Sequence, residues 1–282
     1  MRGAPGPAEL RKLARVLLAE DSPHGDVTTR AVVPPRLRVT ASIVAEQTGV
    51  AAGLDAAVAI FHAAGAKAQK AVRDGSRFRR GKSLLRIRGT AHSVLRAERP
   101  ALNVLQHLCG VATLTATFRE RVRGTGVRIT DTRKTLPGLR SLEKYAVRCG
   151  GGLSNRGSLS TGILIKENHL ACLGGEPQAI AEAMRRASRL RFIPHIEVTS
   201  LPELRAALGA GAVAVLLDNF TPAGCRRAVR IAHGRAVLEA SGGIHLGNAR
   251  AYARTGIHVL SVGRLTHSAP ACEMSLDLRP VR

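Results

Sequence analysis

The sequence predicts an α/β protein, with an incomplete (open) α/β barrel and a second, N-terminal α+β lobe. From residue 127 onward, short apolar runs alternate with helical patterns at a spacing of roughly 20–35 residues, which is typical of βα units around a parallel sheet. Each of these runs ends in polar or charged residues. The first third of the chain has no such alternation and mixes strand and helix patterns instead. These three observations together predict two domains of different architecture.

The N-terminal lobe contains helices and short strands in a mixed order. One polar segment with Pro and Gly, from Glu20 to Thr29, predicts a loop. The other elements are a helix over Glu9–Glu20, a strand over 37–49, a helix over Gly53–Gly65, short strands near 68–73 and 83–89, and a long helix over Ser93–Thr117.

The barrel is predicted from six apolar runs with helices between the later ones. Because catalytic groups in such barrels lie at the carboxyl ends of the strands, the polar residues after each run are the candidates for a site. The runs are Val127–Thr130, Gly162–Ile165, Phe192–Ile196, Ala212–Leu217, Ala236–Leu238 and His258–Val262. The helical patterns are Pro177–Leu190, Leu201–Leu208, Pro222–Ala232 and Leu246–Thr255.

The net charge of +23 over 282 residues narrows the classes of partner. A strongly basic chain binds nucleic acid, an anionic membrane surface or acidic small molecules. The densest basic stretch, Lys70 to Arg99, has a single aromatic ring, Phe78, whereas single-strand binders interleave basic and stacking residues. No zinc-finger, RNA-recognition or basic-zipper motif occurs, so we expect no specific nucleic-acid binding.

The remaining composition gives the cytoplasm as the default location and predicts no membrane partner. The five cysteines are odd in number and form no CxxC motif, which argues against a disulfide framework or a zinc site. No uninterrupted apolar run reaches the ~18 residues that a membrane span needs. The amphipathic pattern of Glu9–Glu20 is not that of a signal peptide.

Four basic residues follow neighbouring strands of the predicted barrel: Arg133, Lys134, Arg156 and Lys166. Cations placed this close repel one another unless an anion lies between them. The planar guanidinium of arginine suits carboxylate and phosphate because it donates two parallel hydrogen bonds. We therefore expect a ligand with at least two negative groups.

Acidic residues and glycines at the same edge leave two interpretations open. Glu197 and Asp218, with Glu167 nearby, either neutralise the basic cluster or bind sugar hydroxyls and a hard cation such as Mg²⁺, which takes one or two carboxylates. Gly242-Gly243 and Gly263 follow the late strands. They are either simple turns or a phosphate site built from backbone N–H groups.

Several longer motifs resemble one known family, the quinolinate phosphoribosyltransferases (carboxylating nicotinate-nucleotide pyrophosphorylases). The Asp-Thr-Arg-Lys-Thr-x-Pro-Gly segment is highly specific, and the matches cover nearly the whole chain in family order. They are Glu20–Thr29, Glu98–Asn103, Asp131–Arg140, Glu143–Gly152, Leu164–His169, Leu217–Phe220, Glu239–Ile244 and Ser261–Ser268.

The resemblance implies a fold and a reaction. It implies an N-terminal α+β sandwich lobe over 1–112, rejoined by 270–282, and a barrel phosphoribosyltransferase domain over 113–269. The family transfers phosphoribose from phosphoribosyl pyrophosphate to quinolinate with Mg²⁺, and yields nicotinate mononucleotide, pyrophosphate and CO₂ for NAD biosynthesis. The working unit implied is a homodimer or larger.

The resemblance also implies a role for each candidate residue. Lys134, Glu197 and Asp218 are the implied catalytic residues, and Glu197 and Asp218 the implied metal ligands. Arg99 would enter the partner subunit's site. Arg133, Asn155, Arg156 and Lys166 would hold the pyridine carboxylates, Lys134 would reach the phosphoribosyl donor, and the 5′-phosphate would lie on Ser241, Gly242, Gly243 and Gly263, beside Arg264.

Three positions depart from the family pattern. Asn155 stands where the family has a substrate-facing His, Thr161 where it has Asp, and Arg264 where it has a small residue. Asparagine donates hydrogen bonds but never becomes cationic. These departures keep a second hypothesis open, a paralogue that moves phosphoribose onto another aromatic acid. A third, from another class, is a non-catalytic nucleic-acid binder that uses the basic stretch 70–99.

Overall fold

The computed structural model describes residues 3–175 and 178–281. The chain divides into two compact units, which are described separately below. The lobe unit comprises Met1–Ala116, Leu136–Gly151 and Ser268–Arg282, and the barrel unit comprises Thr117–Thr135 and Gly152–His267. Residues 136–151 thus cluster with the lobe unit, although they lie inside the range expected for the barrel domain. The domain boundaries near 112 and 270 stay a prediction.

Within the described residues the helices are α1 (Pro7–Asp21), α2 (Val27–Val32), α3 (Leu54–Ala63), α4 (Ala91–Arg121), α5 (Arg140–Cys149), α6 (Glu167–Ala171), α7 (Gln178–Ala187), α8 (Leu201–Gly209), α9 (Pro222–Ala232), α10 (Ala249–Ala253) and α11 (Arg264–His267). The strands are β1 (Arg38–Ala45), β2 (Gly49–Val50), β3 (Lys67–Lys70), β4 (Arg77–Phe78), β5 (Ser83–Thr90), β6 (Arg128–Thr130), β7 (Leu164–Ile165), β8 (His195–Val198), β9 (Ala214–Asp218), β10 (Val237–Ser241), β11 (Val259–Ser261) and β12 (Met274–Pro280).

The lobe unit is built on a four-stranded antiparallel sheet in the order β12-β1-β5-β3. The C-terminal strand β12 supplies one edge, with Val39 opposite Pro280 and Ala45 opposite Met274. Alternate residues of β1 are buried, which indicates one covered face. Helix α3 packs against β3 and α1, and Ile60 and Phe61 of α3 are fully buried.

The long helix α4 spans 31 residues and has Pro100 in its interior. Its apolar stripe is buried, with Leu105 and Leu108 fully so, as the spacing predicts. By length and composition α4 passes the test for a membrane span, but 61% of its apolar window is buried inside the protein. A core helix of a soluble protein passes the same test, so this is weak evidence for a membrane.

The barrel unit holds six parallel strands in the order β6-β11-β10-β9-β8-β7. All six coincide with the apolar runs of the sequence, and the sheet confirms the α/β class. Helices α8 and α9 begin where side chains cap them: Ser200 accepts from the N–H of Glu203, and Thr221 from the N–H of Gly224. The parallel order brings all the carboxyl ends of the strands to one edge.

Several elements were not predicted from the sequence, among them α2, α5, α6, α11, β2 and β4. The segment expected to be a loop contains α2, because Asp26 caps it by accepting a 2.9 Å hydrogen bond from the N–H of Thr29. Helix α5 was not predicted, although Leu142, Tyr145, Ala146 and Cys149 recur at helical spacing and seven of its ten residues are buried. Among the described residues all five cysteines are free, in agreement with the absence of a disulfide pattern.

Candidate active site

Each strand of the barrel unit delivers polar residues to the same edge of the sheet. Arg133 and Lys134 follow β6, Lys166 follows β7, and Gly263 follows β11. Glu197, Asp218 and Ser241 lie within the last residues of β8, β9 and β10. Neighbouring parallel strands therefore hold cations and carboxylates side by side, as the strand-end pattern predicts.

Lys166 and Glu197 form an ion pair at this edge. The Nζ of Lys166 lies 2.5 Å from Oε2 of Glu197, and the Glu197 side chain is only 13% exposed. The sequence places these residues in separate groups, an acceptor clamp and a ribose or metal site. The structure joins them across neighbouring strands, so Lys166 has a carboxylate partner as well as a place in the basic cluster.

Asp218 belongs to the same charge cluster. Burial raises the pKa of its carboxyl and the nearby Glu197 raises it further, while Lys166 and Lys134 oppose the shift. The Nδ2 of Asn219 donates a 2.8 Å hydrogen bond to Asp218. The carboxylate of Asp218, held beside that of Glu197, marks a place where a cation or a cationic transition state is favoured.

Arg133, on the loop after β6, and Arg156, on the loop between α5 and β7, lie within electrostatic reach of each other. Burial lowers the pKa of Arg156, and the charge of Arg133 lowers it further. One guanidinium nitrogen of Arg156 donates to the carbonyl of Gly162 at 3.2 Å. The buried Nε of Arg133 has no hydrogen-bond partner among the described residues. This pair is therefore the part of the cluster best suited to an anionic ligand.

Asp131 anchors the loop that carries Asn155 and Arg156. It is fully buried and accepts hydrogen bonds from Ser154 Oγ (2.7 Å) and from the N–H of Asn155 (2.9 Å). The Oδ1 of Asn155 in turn accepts from the N–H of Arg156 at 2.6 Å. The sequence points to Asp131 only as part of a motif, because its anchoring role depends on a contact 23 residues away.

A second buried carboxylate, Glu239 on β10, lies beneath the same loop. It accepts from the hydroxyl of Ser261, and its Oε1 lies 3.5 Å from Nδ2 of Asn155. Its Oε2 is 3.8 Å from Nε2 of His195 on β8. Burial lowers the pKa of His195 and the charge of Glu239 opposes that shift. The sequence singles out neither Glu239 nor His195 as a site residue.

The glycines that follow the late strands let the backbone pass close to neighbouring residues. Gly242 has φ +92°, and a Cβ there would lie 2.1 Å from Oδ1 of Asn219. Gly243 has φ +60° with open space around it. Its carbonyl accepts from Nδ2 of Asn248 at 3.0 Å, which pins the loop. A Cβ on Gly263 would lie 3.3 Å from the Lys134 side chain.

Buried Thr266 fixes the backbone of Lys134. Its hydroxyl donates to the carbonyl of Lys134 at 2.7 Å and also approaches the carbonyl of Gly263. Arg264 begins α11 and is exposed. The loop after β11 and the loop after β6 are thus held together inside the barrel unit. Sequence reasoning missed Thr266, since a single buried threonine has no distinguishing pattern.

Thr161, His169 and Gly150 have structural roles of their own. Thr161 accepts from the N–H groups of Gly157 and Ser158, both at 3.1 Å, and so closes its loop. His169 caps the start of α6 by accepting from the N–H of Lys166 at 3.0 Å. In the lobe unit, Gly150 approaches the carbonyl of Ala112, where a Cβ would lie at 2.3 Å. Arg99 lies on α4.

No group of three or more His, Cys, Asp or Glu residues suited to a metal ion occurs in the described part of the chain. Glu197 and Asp218 supply two carboxylates at neighbouring strand ends. Two carboxylates fit Mg²⁺, because this ion fills the rest of its coordination shell with water and phosphate oxygens.

Known proteins match this chain over almost its whole length. Residues 26–109 match the quinolinate phosphoribosyl transferase N-terminal domain, and residues 111–277 match the C-terminal domain. The nicotinate-nucleotide pyrophosphorylase [carboxylating] of Mycobacterium leprae is 42% identical over 278 residues, with 95% of this chain and 96% of that protein covered. A probable enzyme of the same name from Methanocaldococcus jannaschii is 37% identical, over 95% of this chain and 96% of that protein.

Solved structures agree with the sequence matches. NadC from Streptococcus pyogenes superposes with a TM-score of 0.91 at 34% identity, with 99% of each chain covered. The nicotinate-nucleotide pyrophosphorylase from Francisella tularensis gives a TM-score of 0.89 at 33% identity, again with 99% of each chain covered. These matches confirm the resemblance and the fold class that the motifs predict. The chain belongs to the quinolinate phosphoribosyltransferase family.

Proposed function

We propose that this chain transfers phosphoribose from phosphoribosyl pyrophosphate to quinolinate, with decarboxylation, in NAD biosynthesis. The observation that carries the proposal is the cluster at the carboxyl edge of the barrel unit, in which Arg133 and Arg156 lie near each other and Lys166 pairs with Glu197 beside Asp218. This arrangement offers one anion-binding end and one mixed-charge end. Two relatives named as carboxylating nicotinate-nucleotide pyrophosphorylases align with 95% of this chain, at 42% and 37% identity.

The anion-binding end suits a pyridine dicarboxylate. Arg133 and Arg156 can each donate two hydrogen bonds to a carboxylate, and the unpartnered Nε of Arg133 is one donor that such a ligand would satisfy. Asn155 lies next to Arg156 and adds an uncharged polar group. Lys166 lies between the two ends, since it also contacts Glu197.

The mixed-charge end suits the phosphoribosyl donor. In the reaction, the bond from ribose C1′ to pyrophosphate breaks and the pyridine nitrogen forms a new bond to C1′. The oxocarbenium-like centre formed on the way is cationic, and the carboxylates of Glu197 and Asp218 stabilise it. Lys134 offsets the charge of the leaving pyrophosphate. The 5′-phosphate would accept from backbone N–H groups at Ser241, Gly242, Gly243 and Gly263, with Arg264 beside them.

The decarboxylation step needs fewer protein groups than the phosphoribosyl transfer does. The new pyridinium ring accepts the electron pair of the breaking C2–carboxylate bond, CO₂ leaves, and C2 then takes up a proton. Mg²⁺, where bound, neutralises pyrophosphate oxygens. Glu197 and Asp218 are the residues that would hold it, since they lie at adjacent strand ends. We further propose a cytoplasmic homodimer in which Arg99 enters the partner subunit's site.

The test is turnover by the purified full-length chain. Quinolinate labelled in its 2-carboxyl group, phosphoribosyl pyrophosphate and Mg²⁺ should give equal amounts of nicotinate mononucleotide, pyrophosphate and labelled CO₂. Glu197→Gln and Lys134→Met should abolish all three products, whereas His233→Asn, at an exposed helix end, should not. Absence of the mononucleotide with the unaltered chain would refute the assignment.

A second candidate function rests on Asn155, Thr161 and Arg264, the three departures from the family pattern. It is phosphoribosyl transfer to a different aromatic carboxylic acid. The same assay with a panel of pyridine and benzene carboxylic acids distinguishes the two. Pyrophosphate release with another acid, and none with quinolinate, would establish the paralogue instead.

A further inference from the structure

One face of the antiparallel sheet in the lobe unit is open to solvent. The residues of β1 and β5 that point to the other face are buried, among them Ile43 and Ile87, and helix α3 packs against β3 and β5. The residues that alternate with them include Arg86 and Arg88, which are exposed. We refer to this exposed side as the outer face of the sheet.

The register of the strands gathers five cations on the outer face. Arg88 on β5 lies directly opposite Lys67 on β3. On its other side, Thr40 of β1 stands between it and Arg279 of β12. Arg86 and Arg38 lie two residues along their strands from Arg88 and Thr40, and so point to the same side. We call this set the outer cationic patch: Arg38, Lys67, Arg86, Arg88 and Arg279, all exposed.

The positive charge of the outer cationic patch is poorly offset. Like charges that lie directly opposite each other destabilise a sheet, as at Lys67 and Arg88. Among the described residues none of the five cations forms an ion pair. The four strands contain one acidic residue, Asp277, which lies opposite Ser42 and is also unpaired in the described part of the chain. A bound polyanion would relieve this repulsion.

The dimensions of the patch suit the phosphate backbone of a nucleic-acid duplex. Neighbouring strands lie about 4.8 Å apart and residues two apart along a strand about 6.8 Å, so the patch spans about 14 Å in each direction. A duplex carries one charge per about 1.7 Å of its axis, which gives about eight phosphates over this distance. Four of the five cations are arginines, whose planar guanidinium donates two hydrogen bonds to a phosphate.

Other partners fit the outer face less well. Single-stranded nucleic acid stacks on aromatic rings, and membrane-surface segments insert aromatic and large apolar side chains. The outward positions of these four strands have no aromatic residue, and Val44 is their one large apolar residue. A second copy of this chain, packed through the same face, would bring five further cations against the first five.

We propose that the outer cationic patch binds the phosphate backbone of double-stranded nucleic acid without sequence preference. Contacts to phosphates carry no sequence information, which agrees with the absence of a motif for specific recognition. The surface belongs to the lobe unit alone. It goes beyond the proposed function, because duplex binding requires no turnover of quinolinate. The two proposals therefore fail independently.

The test is the salt dependence of binding, measured by fluorescence anisotropy with the full-length chain and a labelled mixed-sequence DNA duplex. Five phosphate contacts predict a slope of about −4.5 for log K against log salt, which is about a 500-fold loss of affinity between about 50 and 200 mM. Arg86→Gln/Arg88→Gln leaves three contacts. Its slope should flatten to about −2.7 and its loss of affinity to about 40-fold.

A matched control separates the patch from the overall charge of the chain. Arg226→Gln/Arg227→Gln removes two exposed arginines of α9, in the barrel unit, and lowers the net charge equally. This control should keep the slope of the unaltered chain, and a duplex of another sequence should bind within about twofold. Thermal midpoints show that each variant is folded.

Competition identifies the class of partner. Unlabelled duplex, phosphatidylserine vesicles and polyglutamate are compared at equal concentrations of negative charge, and the duplex should compete best. Stronger competition by vesicles or polyglutamate would overturn the proposal. Equal slopes for the two double variants, or no duplex binding at the lower salt concentration, would overturn it as well.

Discussion

Alanine at Gly242 should damage the phosphate loop far more than alanine at Gly243, although the two glycines are neighbours. Both have positive φ, +92° and +60°, where a Cβ costs about 1–2 kcal/mol. Gly243 has open space, so this strain is the whole expected effect. At Gly242 the new Cβ would also lie 2.1 Å from Oδ1 and 2.9 Å from the backbone N of Asn219.

The clash at Gly242 cannot be relieved by a simple side-chain rotation. Asn219 is held by its own N–H, which donates to Ser241 at 2.9 Å, and by its Nδ2, which donates to Asp218 at 2.8 Å. Overpacking of this kind adds about 1–3 kcal/mol. Gly242→Ala should therefore be destabilised by about 2–5 kcal/mol in total, and Gly243→Ala by about 1–2 kcal/mol.

Urea denaturation followed by circular dichroism measures the difference in stability. Steady-state kinetics measure the consequence for function: Gly242→Ala should lose most of its kcat/KM for phosphoribosyl pyrophosphate, since displacement of Asn219 shifts Asp218. Gly243→Ala keeps the backbone N–H and should retain far more activity. Equal loss of stability and activity in the two variants would refute the steric reasoning.

Three further outcomes are expected. Burial raises the pKa of Asp74 above its usual 3.8, so its stabilising contribution, present below that pH, is lost as pH rises through the higher folded-state value; the thermal midpoint of Asp74→Asn relative to the unaltered chain should therefore be higher at pH 7.5 than at pH 4, and an unchanged difference would contradict this. Glu143, fully buried and 2.7 Å from His107, should lose about 3–5 kcal/mol of unfolding free energy as Glu143→Ala, measured by urea denaturation; a loss below 1 kcal/mol would show the pair to be dispensable. Lys166→Met leaves Glu197 without its cation and should reduce kcat at saturating substrates by at least tenfold, with Lys166→Arg less impaired; equal kcat in the two variants would exclude a role for the cation.

The barrel part of the fold is predictable from sequence because each strand is an apolar run with a polar end. The six apolar runs correspond to the six strands of the sheet, taken in their order along the chain. The short helix α2 is not recoverable in the same way, since a single cap from Asp26 outweighs the Pro and Gly around it. Helix α5 could have been predicted, because Leu142, Tyr145, Ala146 and Cys149 recur at the spacing of an amphipathic helix.

The candidate site is predictable to the level of strand ends but not to the level of contacts. Sequence places Lys166 and Glu197 at one edge, yet their ion pair depends on β7 and β8 being neighbours in the sheet. The approach of His195 to Glu239 is harder still to predict, because these residues meet across β9. Their contact follows from the register of three strands, and no local motif in the sequence encodes that register.

Asn155 and Thr161, two of the departures from the family pattern, lie on the same loop and both form hydrogen bonds within it. Relative to the pattern that the resemblance implies, both departures replace an ionisable side chain with an uncharged one. Thr161 still accepts hydrogen bonds from Gly157 and Ser158, and Asn155 still bonds to Arg156. The loop therefore keeps its hydrogen bonds without ionisable side chains at these two positions. We expect discrimination between acceptors to rest on the guanidinium pair of Arg133 and Arg156, and the strand-end framework tolerates this exchange because each group is delivered by a different strand or loop.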